Sequence, residues 1–136
     1  MKNIIALFVP VWLFTTSCAY NNMNVYDTID EKNKTISVDV STAGSLTGKL
    51  SQVLRRNGFT VYVKNKITDS GYITTESRYE LFVTADKTDV CFVGGIKYSF
   101  GISIVDLSNS QEVMNFSGLR CEDNIVSKFE EFIQTK

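Results

Sequence analysis

The side chains of this chain that are best suited to covalent chemistry are three cysteines, Cys18, Cys91 and Cys121, and the chain has no histidine. Without histidine, Ser-His-Asp and Cys-His catalysis is excluded, and so is the commonest side-chain ligand of transition metals. A reactive centre would need other groups, such as a Ser-Lys pair or paired carboxylates, and no sequence motif supports either. We therefore expect no enzymatic activity and no bound cofactor or metal.

Cys18 comes at the end of a segment with the order of a secretory signal. Lys2 supplies a positive charge, Ile4–Phe14 is a run of eleven apolar residues, and Thr15–Ser17 are small. This order is typical of an exported protein. As a helix the run would rise about 17 Å, against roughly 30 Å of bilayer hydrocarbon, so it is too short to span a membrane.

The junction at Ser17 and Cys18 resembles the lipobox of bacterial lipoproteins, although Thr15 stands where that family usually has Leu, Val or Ile. The resemblance implies that residues 1–17 are removed, that the Cys18 thiol carries diacylglycerol, and that the new amine is acylated, for example with palmitate. Ala19 is not the Asp that tends to retain enteric lipoproteins at the inner membrane, so the resemblance implies the periplasmic face of the outer membrane. The alternative is an ordinary signal cleaved after Ala19.

The composition of the remaining chain bounds its class. Removal of residues 1–17 leaves 119 residues, which fits one domain, and a charge near −2, since Lys2 is lost from 14 basic and 15 acidic residues. No basic run is longer than Arg55-Arg56, so we expect no nucleic-acid partner. The expected contacts are the membrane, through the lipid, and a protein of the envelope.

The other two cysteines, Cys91 and Cys121, are expected to form a disulfide. An even number of cysteines in an exported chain favours this pairing, because the periplasm is oxidising. Closing a loop of about 30 residues would stabilise the fold by roughly 3 kcal/mol in the chain-entropy model. A redox pair and a metal site are the weaker alternatives, since the first usually has C-x-x-C spacing and the second needs further ligands.

Apolar periodicity divides the mature chain into a tether, residues 18–34, and a single domain, residues 35–136. Residues 18–34 are polar and without a period, which favours an extended leader to the fold. Residues 36–40 alternate as a strand, the stripe of Leu46, Leu50, Val53 and Leu54 predicts a helix, and residues 59–63 alternate again. These three elements predict a βαβ unit with parallel strands.

The second half of the domain predicts antiparallel strands and a closing helix. The segment Lys64–Arg78 is a long loop, either a solvated connection or a binding loop. Strands follow from Tyr79, in a short apolar piece at Val90–Val93, and in a hairpin around residues 108–110. Residues 122–135 predict a helix with a stripe of Ile125, Val126, Phe129, Phe132 and Ile133. The expected fold class is α/β (α+β), one mixed sheet with both helices on one face. The expected core is formed by this face, the stripe of the first helix, and Ile125, Phe129, Phe132 and Ile133 of the last.

Four local patterns could indicate a site, and each has a structural interpretation that we prefer. Glu122-Asp123 could act as an acid/base pair, but at a helix start such residues usually cap the helix and interact with its dipole. The aromatic pair Tyr98 and Phe100 could stack on a ligand, but alternation within a strand favours core packing.

Asp86 and Asp89 could bind a cation, but they lack the ligand spacing of an EF-hand loop. Gly94-Gly95 lacks the context of a phosphate-binding loop and is interpreted as a turn.

The order of elements and several short motifs resemble the small α/β domain of outer-membrane lipoproteins of the CsgG, LpoB and TolB amino-terminal type. The matching segments are Leu46–Val63, the Y-x-x-x-I-x-I-V-D pattern at Tyr98–Asp106, and the return strand at Glu112-Val113. Small gammaproteobacterial lipoproteins with the patterns at Asp89–Cys91, Tyr98–Asp106 and Ser117–Glu122 are similar too. Neither group supplies a catalytic residue. The resemblance implies a role in binding or assembly within the envelope; the alternatives are binding of a small ligand or peptide and, last, a histidine-independent enzyme.

Overall fold

Alternating apolar residues place six strands in one sheet, and two helical stripes cover one face of it. The structure is a computed structural model and describes residues 21–39, 44–64 and 77–135. Its elements, in chain order, are β1 (Asn21–Val25), β2 (Thr35–Asp39), α1 (Gly44–Arg56), β3 (Thr60–Lys64), β4 (Tyr79–Val90), β5 (Ile96–Asp106), β6 (Gln111–Cys121) and α2 (Glu122–Gln134).

The sheet is mixed and has the strand order β1-β6-β5-β4-β2-β3. β2 pairs in parallel with β3 and with β4, and the remaining pairs are antiparallel. α1 connects β2 to β3, and Gly58, with φ 86°, turns the chain after the helix ends. The predicted fold class and βαβ unit are therefore confirmed.

The core lies between the helices and one face of the sheet. Leu46, Leu50, Val53 and Leu54 of α1 are fully buried, as predicted. On α2, Ile125, Phe129 and Ile133 are buried, whereas Phe132 and Val126 only pack against the edge of the core. The prediction that Phe132 belongs to the core is wrong, because it lies on the flank of the apolar stripe and faces a groove.

Residues 21–25 form a strand that the polar composition of the segment did not predict. β1 pairs antiparallel with β6, from Asn21 opposite Gly118 to Val25 opposite Met114. Alternation places Met23 and Val25 on the face that carries the core, while Asn22 and Asn24 point to the other face. The described part of the expected tether thus begins with an edge strand of the sheet.

The sequence predicts a separate short strand at Val90–Val93, and this prediction is wrong. β4 ends at Val90, and residues 91–95 connect it to β5. The two glycines make this connection possible, since Gly94 and Gly95 have φ of 99° and 81°. Cys91 consequently lies in the connection and not in a strand.

Other expectations fall outside the described ranges. These are the lipidation of Cys18, the signal segment, residues 40–43 and residues 65–76 of the predicted loop. Among the described residues, no helix is long and apolar enough to cross a membrane.

Candidate functional site

A groove of about 510 Å³ lies between α2 and the chain that follows β1. We call it the α2 groove. Its apolar residues are Met23, Val25, Ile29, Phe132 and Ile133, and its polar residues are Asp27, Thr28, Glu31, Lys34, Lys128, Glu131 and Thr135.

Strand alternation and helical periodicity together place the apolar floor of the α2 groove. Met23 and Val25 lie opposite the core residues Phe116 and Met114 of β6, so their side chains point to the helix-covered face. Phe132 follows Phe129 by three residues, which places it beside the buried stripe of α2. β1 therefore does not cover α2 completely, and apolar surface remains accessible between β1 and α2.

The chain after β1 is held in place by backbone contacts, so the groove has a fixed wall. The amides of Tyr26 and Asp27 donate to the carbonyl of Val113 at 2.9 and 3.3 Å. The amide of Asp30 donates to the hydroxyl of buried Tyr79 at 2.8 Å. These bonds satisfy the backbone of an otherwise irregular segment.

The charged side chains at the rim pair with one another and do not converge on the floor. Lys34 lies 2.8 Å from Glu31, and Lys128 pairs with Glu131 on α2. Asp27 accepts a hydrogen bond from the amide of Thr28 at 2.7 Å. The carboxylates of both pairs are exposed, so the pairs contribute little to stability. The groove can thus receive apolar side chains, surrounded by polar groups of both signs.

A second cluster lies at the other end of α2, around buried Glu122. Its carboxylate accepts hydrogen bonds from Lys49 Nζ at 2.8 Å and from Ser45 Oγ at 3.1 Å, both on α1. Ser45 also lies 3.2 Å from the hydroxyl of Tyr98. The Glu122 carboxylate, which is almost inaccessible to water, joins α2 to α1, and Ser45 extends the cluster to Tyr98 of β5.

The predicted capping role of Glu122-Asp123 is wrong for Glu122. The N-cap position of α2 is Cys121, which makes no side-chain cap, and Glu122 turns inward to α1. Asp123 stays exposed in the first turn, 3.6 Å from Lys49 Nζ. Both residues still lie at the positive end of the helix dipole, as expected.

The same cluster bears on the Ser-Lys alternative, because it holds a serine and a lysine of α1 together. The hydrogen bond from Lys49 to Glu122 raises the pKa of Lys49 above 10.5, against a smaller opposing effect of desolvation. An ammonium that keeps its proton cannot accept one from Ser45. The arrangement is suited to joining elements and not to activating a nucleophile.

A third polar contact, which the sequence did not indicate, joins Arg78 to Asp106 at the end of β5. Arg78 donates from Nε and Nη2 to the two carboxylate oxygens of Asp106, both at 2.8 Å. These bonds, together with two from Ser108, lower the pKa of the Asp106 carboxyl below 3.8, although its burial opposes the shift. A bidentate pair of this kind fixes the end of the hairpin.

The remaining candidate residues have structural surroundings. Tyr98 and Phe100 are buried, and the Phe100 ring packs edge-on against Phe116 at 4.8 Å, so the core interpretation is confirmed. Asp86 and Asp89 are exposed on β4, and the described residues contain no cluster of three potential metal ligands.

Cys91 and Cys121 are joined by a disulfide with a Cα separation of 6.1 Å, inside the usual range. The bond links the connection after β4 to the end of β6. The pairing expected from the sequence is the one in the structure.

Comparisons with known proteins identify the fold and nothing more specific. No family model matches the sequence, and no curated protein matches it. A point-substituted PelC dodecamer from Paraburkholderia phytofirmans has a similar structure, with 14% identity, 87% of this chain and 99% of that chain covered, and a TM-score of 0.65. A second PelC dodecamer from the same organism gives 16% identity, 85% and 93% coverage, and a TM-score of 0.55. At this identity the likeness shows a shared fold alone.

TolB from Acinetobacter baumannii is also similar, at 12% identity and a TM-score of 0.48. The match covers 84% of this chain and 30% of the TolB chain. This likeness is too weak to support a functional argument. The structure itself is a small α/β fold, which agrees with the fold class that the sequence resemblance implied.

Proposed function

We propose that this protein is a lipid-anchored component of the bacterial cell envelope that binds a segment of a protein partner in the α2 groove. The observation that carries the proposal is the groove itself. Its floor is apolar and open, and the charges around it are already paired with each other. An apolar centre within a polar rim is the usual anatomy of a protein interface.

The pairing of the rim charges favours a protein partner over a charged small ligand. A site for a small polar molecule usually directs a few polar groups toward its centre. Here Lys34 and Lys128 are each engaged by a neighbouring glutamate at the rim. The accessible surface of Phe132 and Val25 is instead suited to anchor apolar side chains of a partner.

Two features support an envelope location. Residues 1–18 have the pattern of a lipoprotein signal and its cysteine, for which the outer membrane is the proposed destination. The disulfide between Cys91 and Cys121 is of the kind that persists in an oxidising compartment.

A role in binding, and not in catalysis, is part of the proposal. Lys49 is held protonated by Glu122, so the Ser-Lys pair of α1 lacks a base. The proposal includes neither a catalytic centre nor a cofactor.

Binding of a small apolar ligand is the second candidate, and the volume of the α2 groove favours it. About 510 Å³ falls in the range of roughly 300–1,000 Å³ that small-molecule sites occupy. Native mass spectrometry of the protein extracted from membranes would show such a ligand as a discrete added mass, which Phe132→Asp would remove.

Site-specific photo-crosslinking in intact envelopes tests the protein-binding proposal. A photoreactive residue replaces Val25, which is 55% exposed at the α2 groove, and in a matched control it replaces Phe82, which is 49% exposed on the uncovered face of the sheet. We expect a discrete crosslinked protein from position 25 that is absent from position 82 and is lost when Phe132→Asp is added.

Identical products from the two positions, or no product from position 25, would contradict the proposal.

Because both PelC structures are dodecamers, a second copy of this chain is one partner to test. Such a product would contain only peptides of this protein.

A further inference from the structure

The last residue of β4 and the connection that follows it expose three apolar side chains to water. Phe92 is fully exposed, Val93 is 80% exposed and Val90 is 66% exposed. We call these three residues the apolar tip. Exposing three apolar side chains to water within so short a stretch of chain is unfavourable, so we expect an apolar environment to cover them.

The backbone on both sides of Phe92 is fixed, so the apolar tip cannot easily fold back onto the domain. The disulfide attaches Cys91 to the end of β6, and the Cys91 amide donates to the Gly95 carbonyl at 2.8 Å. On the other side, the carbonyl of Gly94 accepts a hydrogen bond from the Asp123 amide of α2 at 3.2 Å.

Gly94 and Gly95 are also packed closely against Cys121 and against Glu122, the first residue of α2. A Cβ atom at Gly94 would lie 3.3 Å from Cys121 Cβ, and one at Gly95 would lie 3.3 Å from a carboxylate oxygen of Glu122. The connection is thus seated on the start of α2, with Phe92 directed away from the fold.

The N-terminal end of the described chain enters the sheet toward the same end as the apolar tip. Asn21 lies opposite Gly118, three residues before Cys121, and Arg120 Nη2 donates to Asn21 Oδ1 at 2.7 Å. Cys18 precedes Asn21 by three residues, so even a fully extended chain reaches about 11 Å at most. A lipid on Cys18 would therefore hold this end of the sheet, and the apolar tip with it, close to the bilayer.

We infer that the apolar tip is a second membrane contact, in which Phe92 and its valine neighbours enter the boundary between lipid headgroups and acyl chains beside the lipid of Cys18. The inference rests on the lipid anchor of the proposed function. Apolar side chains at such contacts lie about 5–10 Å deep in the interface. A protein partner fits less well, because three side chains are far fewer than the roughly 20–30 residues that each side of a stable protein interface contributes.

This contact would give the domain a defined orientation. α2 begins at Glu122, next to the apolar tip, and ends at Gln134, where Phe132 and Ile133 line the α2 groove. The helix of 13 residues thus separates the membrane contact from the groove. The groove would face away from the bilayer, toward soluble partners.

Tryptophan fluorescence can test the contact directly, because the only tryptophan of the chain, Trp12, lies in the segment that export removes. Phe92→Trp and the control Phe82→Trp each give a mature protein with a single tryptophan. Both proteins are extracted from membranes and reconstituted into vesicles of phosphatidylethanolamine and phosphatidylglycerol, with and without brominated acyl chains. The intact mass of each sample reports whether Cys18 carries lipid.

With lipid on Cys18, we expect brominated chains to quench the Phe92→Trp protein at least about twofold more than the Phe82→Trp protein, and aqueous acrylamide to do the reverse. Equal acrylamide quenching of the two acylated proteins would overturn the membrane contact while the lipid anchor stands. Protection of position 92 from both quenchers would indicate a contact with another copy and would overturn it too. An unmodified Cys18 would remove both the anchor and this contact.

Discussion

Replacing Lys49 by Met should destabilise the protein more than replacing Glu122 by Gln, although both changes remove the same ion pair. The asymmetry comes from burial, since the Glu122 side chain is 6% exposed and that of Lys49 is 43% exposed. Lys49→Met leaves a buried carboxylate that, among the described residues, keeps only the hydrogen bond from Ser45. Glu122→Gln leaves a neutral amide of the same shape and an ammonium that can turn to water.

The size of the effect follows from how much of the pair is buried. Removing one partner of a fully buried pair costs about 3–5 kcal/mol, much of it from the charge that stays behind. Because solvent already reaches nearly half of the Lys49 side chain, we expect about 1–3 kcal/mol for Lys49→Met. For Glu122→Gln we expect less than about 1 kcal/mol.

Urea unfolding followed by far-ultraviolet circular dichroism, with the disulfide intact, measures these differences in the free energy of unfolding. Lys128→Met is a matched control, since Lys128 is 45% exposed and its partner Glu131 is 61% exposed. That exposed pair should contribute almost nothing. The reasoning is refuted if Lys49→Met costs no more than Lys128→Met, or if Glu122→Gln costs more than Lys49→Met.

Three further predictions concern the core, the pH dependence and the disulfide. Phe129→Ala should lower the free energy of unfolding by about 3–5 kcal/mol, because Phe129 is fully buried, whereas Phe82→Ala on the uncovered face should change it by less than about 1 kcal/mol in the same urea assay. The folded-state pKa of Asp106 lies below 3.8, so its ion pair stabilises the fold fully above pH 3.8 and less as the pH falls through the folded-state pKa. Asp106→Asn should therefore reduce the free energy of unfolding at neutral pH and flatten its dependence on pH on the acid side. An unchanged acid slope would contradict this. In the denatured, unreduced protein, alkylation should label neither Cys91 nor Cys121, and labelling of both would show that the disulfide is absent.

Regular hydrophobic periods made most of the fold predictable from the sequence. The stripe from Leu46 to Leu54 predicted α1, which is observed from Gly44 to Arg56. The alternation from Tyr98 to Asp106 predicted the central strand β5. In these segments the local pattern and the tertiary environment favour the same conformation.

Strand β1 could not be recognised from its own composition. Three of its five residues are asparagines, and only Met23 and Val25 carry the alternating apolar signal. The pairing with β6 supplies the stability that the local sequence lacks. Because Met23 and Val25 of β1 form part of the floor of the α2 groove, the groove was not predictable either, although the M-x-V spacing was a weak signal for it.

The role of Glu122 illustrates a different limit. Acidic residues at a helix start are usually exposed and interact with the dipole, and the sequence offers no reason to expect otherwise. The long-range contact of the α2 start with α1 buries Glu122 and places Lys49 and Ser45 around it. Likewise, the exposure of Phe92 depends on the disulfide and on the contact of Gly94 with α2, which no local pattern encodes.

The most direct test of the central claim, a lipid-anchored envelope protein, is the intact mass of the protein extracted from membranes. The account predicts a chain that begins at Cys18 and carries the added mass of a diacylglyceryl group and an amide-linked acyl chain. Cys18→Ser should abolish that mass and leave a soluble or uncleaved product. An unmodified mature chain beginning at Cys18 or Tyr20 would contradict the claim.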